Sequence, residues 1–104
     1  MARFDVYTNP DSAERDTVPY YLDVQNNFLD TIQTKVVIPL HFAHRLEIRV
    51  RNLNPVFEVK GKSVVMNTAA IGAVPAGELR RPVGNLAAQQ LEITDALDTL
   101  LGGY

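Results

Sequence analysis

Hydrophobic and polar residues alternate over several short stretches in the first half of the chain. The segment RFDVY (3–7) places Phe4 and Val6 on one side, and PYYLDVQ (19–25) shows the same period of two. A third stretch, KVVIPL (35–40), is rich in β-branched residues and contains a proline near its end. Alternation with period two and β-branched residues are both typical of strands. We therefore predict three strands before residue 41.

Two further strands are predicted in the segment PVFEVKGKSVVM (55–66), joined at Lys60-Gly61-Lys62. Glycine supplies the positive φ that a tight hairpin turn requires. The stretch TAAIGAV (68–74) predicts one more short strand, and PAGELRRPVGN (75–85) is predicted to be a loop.

The segment HFAHRLEIRVR (41–51) fits two patterns. Phe42, Leu46 and Val50 are spaced as on one face of a helix, whereas Leu46, Ile48 and Val50 alternate as in a strand. We expect a short helical or irregular connection here.

The last part of the chain has a helical pattern. Its apolar residues fall near one helical face: Leu86, Ile93, Leu97, Leu100 and Leu101. Its acidic residues are predicted to point mostly outward: Glu92, Asp95 and Asp98. Asn85 is the predicted N-cap, and Gly102 is predicted to end the helix because glycine accepts the left-handed backbone.

These elements predict an α+β fold that is mainly β. We expect a bent antiparallel sheet or small SH3-like barrel closed by one C-terminal helix, and a single domain over residues 1–104.

Composition narrows the possible functions. The chain has 46% hydrophobic residues and no cysteine. Its formal net charge is −2, so it lacks the overall positive charge of a general nucleic-acid binder. It shows neither a signal peptide nor an apolar run long enough to cross a bilayer, so we expect a cytoplasmic protein without direct membrane contact. We expect no cofactor.

Candidate catalytic chemistry is sparse. His41 and His44 are spaced to share a metal if their segment is helical, with Glu47 as a third ligand, but a surface pair is the simpler interpretation. The arginines fall into two groups: Arg45, Arg49 and Arg51, and then Arg80 and Arg81. They lack the interleaved aromatics of a single-strand binding platform, so we interpret them as solvated charges.

The whole chain resembles the CcdB toxin family. The motifs that carry the resemblance are FDVYTN (4–9), LDVQNNFLDT (22–31) followed by VVIPL (36–40), LNPVFEV (53–59), MNTAAIGAVP (66–75) and the helix AAQQLEITDALDTLLGG. The N-terminal loop and residues 41–52 match loosely.

The resemblance implies a homodimer with an SH3-like barrel. It further implies a toxin that binds the A subunit of DNA gyrase, traps that enzyme on cleaved DNA, and is neutralised by a CcdA-type antitoxin. Such a protein catalyses nothing itself.

The family's gyrase-contacting positions are carried onto eight residues of this chain: Asn26, Phe28, Leu29, Asp98, Leu101, Gly102, Gly103 and Tyr104. The family's toxic members end in Trp-Gly-Ile, where this chain has Gly102-Gly103-Tyr104, and Asp98 places a charge where the family has a neutral amide. We expect Tyr104 to replace the missing tryptophan as an aromatic anchor.

Two alternatives remain open at the level of sequence. One is an attenuated relative that keeps antitoxin binding after losing toxicity. The other is a MazF-type endoribonuclease, since those enzymes share the small barrel, with His41, His44 and Arg45 as its candidate groups.

Overall fold

The computed structural model describes residues 2–29, 31–47 and 49–102. Its strands are β1 (Asp5–Thr8), β2 (Tyr20–Asp23), β3 (Thr34–Phe42), β4 (Val56–Val59), β5 (Lys62–Met66), β6 (Gly72–Pro75) and β7 (Pro82–Asn85), and its helix is α1 (Gln90–Leu101). Single 3₁₀ turns lie at Ser12–Glu14, Asn27–Leu29, Ala43–Arg45, Thr68–Ala70, Ala76–Glu78 and Ala87–Gln89.

All strand pairs are antiparallel, in the order β4-β5-β3-β2-β1-β7. Along the edge that does not pair with β2, strand β3 is long enough to pair with two strands. Its first half pairs with β6 and its last residues pair with β5. This division curls the sheet into a half-barrel with one C-terminal helix, which confirms the predicted α+β class.

The inner face of the half-barrel forms the main core. It buries apolar residues from the first five strands, β1 to β5: Val6, Tyr20, Leu22, Ile38, Leu40, Phe57, Val64 and Met66. Helix α1 closes this core with Ile93 and Ala96, both fully buried. Much of the helix's stability therefore comes from packing against the sheet rather than from its own propensity.

The β4–β5 hairpin turns where the sequence predicts. Lys60 and Gly61 both have positive φ, +52° and +76°, which is the signature of a two-residue turn that matches strand twist. The connection predicted at 41–51 contains the short helical turn Ala43–Arg45, but its first two residues, His41 and Phe42, belong to β3.

Strand β7 was missed, because residues 75–85 were predicted to be a loop. Pro82–Asn85 pairs with β1 at the edge of the sheet, where a strand can begin with proline because it needs no donor on its outer side. Its composition, with Pro82 and Gly84, hides the strand from a periodicity analysis.

Two details of the helix prediction are wrong. Asn85 Oδ1 accepts the Ala87 N–H at 2.8 Å and so caps the 3₁₀ turn before the helix, not α1 itself. Leu101 is 75% exposed and does not belong to the buried face, where Ala96 stands instead.

Candidate partner-binding site

The segment QNNFL (25–29) forms a tight turn at the end of β2. Asn26 starts it: its Oδ1 accepts the Phe28 N–H at 3.0 Å, and its backbone carbonyl accepts the Leu29 N–H at 3.0 Å. Asn27 fixes the turn to the N-terminal segment, since its Oδ1 accepts the Arg3 N–H at 2.7 Å. Asparagine is suited to the start of such a turn, as at Asn26, because its side chain bonds backbone groups two residues away.

Gln25 supports this turn from below. Its side chain is almost fully buried, and its Nε2 donates to the Leu29 carbonyl at 3.2 Å while its Oε1 accepts the Val36 N–H at 3.0 Å. One side chain thus ties the turn to strand β3.

An ion pair lies beneath Gln25. Asp23 Oδ1 accepts the Gln25 N–H at 2.9 Å, and Asp23 Oδ2 lies 3.5 Å from the Lys35 Nζ, with both side chains buried. Burial raises the pKa of Asp23, while the Gln25 N–H and the Lys35 ammonium act in the opposite direction. The period of two in PYYLDVQ predicts that Asp23 and Gln25 lie on the face opposite Tyr20, Leu22 and Val24, and the structure shows that these two polar residues are buried as well.

The turn presents an apolar tip to solvent. Phe28 is 92% exposed, and Leu29 and Ile32 are each nearly half exposed. An aromatic ring held by a hydrogen-bonded backbone and left uncovered by its own chain has the properties of an interface anchor. Burying such a ring in a partner is worth about 1.5–3 kcal/mol.

The end of helix α1 carries the other predicted contacts. Asp98 and Leu101 are exposed, and Gly102 adopts φ +78°, with its N–H donating to the Asp98 carbonyl. A Cβ at Gly102 would meet no atom within 4 Å, so its constraint is the left-handed backbone rather than space. Gly103 and Tyr104, which were also predicted contacts, lie outside the described residues.

Between the turn at 26–29 and the helix end at 98–102, the described residues form neither a hydrogen bond nor an ion pair.

The histidines do not form a joint site. His41 Nε2 lies 3.1 Å from the Asn67 Nδ2 amide, and burial lowers the pKa of His41 although Glu14 acts in the opposite direction. His44 stacks on the Phe42 ring, with centroids 5.6 Å apart. Among residues 2–29, 31–47 and 49–102, no group of three potential metal ligands comes together.

No helix in the described part of the chain has the length and apolarity needed to cross a membrane. The fold and these surfaces define a small half-barrel protein with an exposed aromatic residue on a turn.

A family model described as CcdB protein matches residues 3–103, nearly the whole chain. The chain belongs to the CcdB family, whose members are toxins of toxin–antitoxin systems that act on gyrase and are not themselves enzymes.

Sequence reasoning missed the residues that hold the turn. Asp23 and Lys35 stand at strand positions and Gln25 follows the end of β2, and the polar character of all three residues predicted exposure to solvent. The only available signal was the motif DVQNNF itself, in which an Asp and a Gln flank the strand end.

Proposed function

We propose that this protein is a homodimeric cytoplasmic toxin that binds the A subunit of DNA gyrase and poisons it on cleaved DNA. A CcdA-type antitoxin neutralises it. The observation that carries the proposal is the built turn at 26–29, with Phe28 almost fully exposed, in a chain that belongs to the CcdB family.

Phe28 is the principal anchor on this proposal. The turn is fixed by Asn26 and Gln25 before any partner arrives, so little backbone entropy is lost on binding. The helix end contributes less, because Asp98 must be desolvated and Gly102 offers no side chain.

The dimer needs a basis other than the one predicted from sequence. The sequence pattern predicts uncovered apolar surface on the helix stripe Ile93–Leu97–Leu100 and on VVIPL (36–40). Within one chain most of this surface is already covered: Ile93, Val37, Ile38 and Leu40 are buried, and Val36, Leu97 and Leu100 are partly buried. Membership of the family is what supports the homodimer.

The test is a gyrase cleavage assay with purified protein and two matched variants. Phe28→Ser removes the proposed anchor, and Leu91→Ser removes another exposed apolar side chain, 74% exposed, at the start of α1. We expect the wild type to accumulate cleaved DNA, Phe28→Ser to need about 10- to 100-fold more protein, and Leu91→Ser to match the wild type.

Light scattering on the same samples measures the mass, and a dimer is expected for all three. Wild-type protein that never traps cleaved DNA, or a Phe28→Ser variant that is as potent as the wild type, would contradict the proposal. The first outcome, together with retained antitoxin binding, identifies an attenuated relative.

A further inference from the structure

Phe42 and His44 form a stacked aromatic pair where β3 ends. Their ring centroids lie 5.6 Å apart, and the angle between the ring planes is 23°. The Phe42 ring packs partly against the main core, whereas the His44 side chain is exposed. The core therefore holds the inner ring in place, and the outer ring presents aromatic surface to solvent.

One lysine and one arginine lie beside this pair. The Lys62 Nζ is 5.6 Å from the centroid of the Phe42 ring. Lys62 reaches the ring because Phe42 pairs with Val64, and strand residues two apart lie on the same face of the sheet. Arg49 Nη2 donates at 2.6 Å to the carbonyl of Ala43, the residue between the two aromatic ones. The fold thus brings both cations to the aromatic pair, and Lys62 comes from a different strand.

Neither cation is neutralised by an ion pair among residues 2–29, 31–47 and 49–102. The acid of the β4–β5 hairpin, Glu58, pairs with Ser63, so its side chain lies on the opposite face of the hairpin from Lys62. A guanidinium carries several N–H groups, so Arg49 keeps donors for a further acceptor after its bond to Ala43. Both side chains are therefore available to an anionic ligand.

Positive charge is concentrated in this part of the chain. Residues 41–62 contain five of the ten Lys and Arg residues but only two of the twelve Asp and Glu residues, although the formal net charge of the whole chain is −2. The five basic residues are Arg45, Arg49, Arg51, Lys60 and Lys62. The negative overall charge therefore hides a locally basic region.

Acidic residues border this region on the side of helix α1. Arg49 and Arg51 line a cleft of about 420 Å³ together with Glu92 and Asp95 of α1. Carboxylates repel phosphates. We therefore expect a polyanion to meet Arg49 from the side of Lys62 and the aromatic pair rather than from that cleft.

An exposed aromatic ring with cations beside it meets the two requirements of a single-stranded nucleic acid. Every base has a π face that stacks on an aromatic ring, and the phosphates that link the bases need positive charge. A free phosphate or a carboxylate would use the cations and leave the ring without a partner. A duplex keeps its bases inside its own stack, so it cannot offer one to the ring without unstacking it.

We infer that the surface formed by Phe42, His44, Arg45, Arg49 and Lys62 binds single-stranded nucleic acid. A base stacks on the exposed His44 ring, supported from below by Phe42, and the neighbouring phosphates lie at Lys62 and Arg49. The surface includes no residue of the turn at 26–29 or of the helix end at 98–102. This binding is therefore independent of the proposed action on gyrase.

The experiment measures binding of labelled probes to the purified protein by fluorescence anisotropy at low salt, without gyrase. Two single strands, an oligodeoxyuridylate and an oligouridylate of about ten nucleotides, differ only in the 2′-hydroxyl. An abasic strand of the same length supplies phosphates without bases, and a DNA duplex of that length supplies stacked bases. We expect both single strands to bind at least about fivefold more tightly than the abasic strand and the duplex. The tighter of the two single strands identifies DNA or RNA as the source.

Substitutions at His44 test the stacking step. His44→Ala removes the exposed ring and should weaken binding of the preferred single strand by about fivefold or more. His44→Phe keeps an aromatic ring at the same place and should bind within about twofold of the wild type. Thermal unfolding of both variants checks that the fold is unchanged, as expected for an exposed side chain.

Substitution of Lys62 tests the phosphate contact. Lys62→Gln should reduce the steepness of the decrease in log K with log salt by about 0.7, the value for one phosphate contact on a single strand. Arg81→Gln makes the same change of net charge at an exposed residue outside the surface and should leave that slope unchanged.

Substitutions of two acids predict a gain of affinity on one side only. Glu92→Gln removes a carboxylate from the cleft that Arg49 also lines, and it should tighten binding about twofold, whereas the exposed Glu78→Gln should have no effect. The inference would be overturned by a wild type that binds neither single strand, or by an abasic strand or duplex that binds as tightly as the single strands. Undiminished affinity in His44→Ala, or an equal salt slope in Lys62→Gln and Arg81→Gln, would also contradict it.

Discussion

The turn that carries Phe28 and the end of helix α1 are held in different ways. The turn is fixed by side-chain bonds from Asn26 and Gln25, and an ion pair is buried beneath it. At the helix end, the Gly102 N–H donates to the Asp98 carbonyl and the Thr99 hydroxyl donates to the Asp95 carbonyl, both within the helix itself.

The two regions also differ in how they match the family. By the resemblance, Phe28 and Leu29 in the turn stay apolar as in the family, and Phe28 is exposed to solvent. At the helix end, Gly102 stands where the resemblance implies a tryptophan, and it has φ +78°. We therefore propose that the turn keeps its binding role and that this chain differs from the family at the helix end.

The largest expected effect comes from breaking the ion pair beneath the turn. Lys35→Met leaves Asp23 buried beside a neutral chain, and we expect the free energy of unfolding at neutral pH to fall by about 3 kcal/mol. Burial holds the folded pKa of Asp23 above its unfolded value of 3.8, and this shift grows when Lys35 is removed. A carboxyl group whose pKa is raised on folding contributes stability that is fully present below its unfolded pKa of 3.8 and is lost as the pH rises through the folded pKa. The stability deficit of Lys35→Met should therefore shrink in acid.

Urea unfolding at several pH values measures this deficit. The exposed Lys62→Met is the matched control and should lose less than about 1 kcal/mol. The double variant Asp23→Asn/Lys35→Met keeps an acceptor for the Gln25 N–H and should recover most of the loss. A deficit that is independent of pH would show that Asp23 ionisation is not involved.

A smaller effect is expected from Gln25→Ala, which removes the support of the turn without touching Phe28. The Val36 N–H loses its acceptor, so stability should fall by about 1–2 kcal/mol. Affinity for a gyrase A fragment should fall about tenfold, because the released turn must then be ordered on binding. Hydrogen exchange at Val36 and calorimetric titration measure the two effects.

Gln33→Ala is the control for this comparison, because Gln33 is an exposed glutamine a few residues along the same loop. Gln33→Ala should change neither the stability of the protein nor its affinity for the gyrase A fragment. Undiminished gyrase affinity in Gln25→Ala, despite lost stability, would show that the support of the turn is not needed for binding.

The main elements of the fold could be predicted from local pattern. Alternation located β1 and β2, β-branched residues located most of β3, and Gly61 located the β4–β5 turn, since each signal depends on neighbouring residues alone. Strand β7 could not be found this way. Its partner β1 lies at the other end of the chain, and a strand containing Pro82 and Gly84 has no alternation of its own.

The candidate site was predictable only as a set of positions. The family resemblance located Phe28 and Leu29, and the structure places both on an exposed turn. The support from Gln25, Asp23 and Lys35 depends on a second covered face of the sheet. Polar residues on alternate positions predict solvent exposure, so their burial becomes visible only once the strands are assembled.

The smallest effect is expected at the helix end, where two substitutions of one residue separate backbone strain from side-chain binding. Gly102→Ala and Gly102→Trp both place a Cβ on a residue at φ +78°, so each should lower the free energy of unfolding by about 1 kcal/mol. Only tryptophan adds an aromatic surface. If the helix end reaches gyrase, Gly102→Trp should bind about tenfold more tightly than Gly102→Ala, although the two are equally destabilised. Thermal unfolding and calorimetry with the gyrase A fragment measure the pair. Equal affinity of the two variants would mean that the helix end does not meet the partner, and that the turn at 26–29 acts alone.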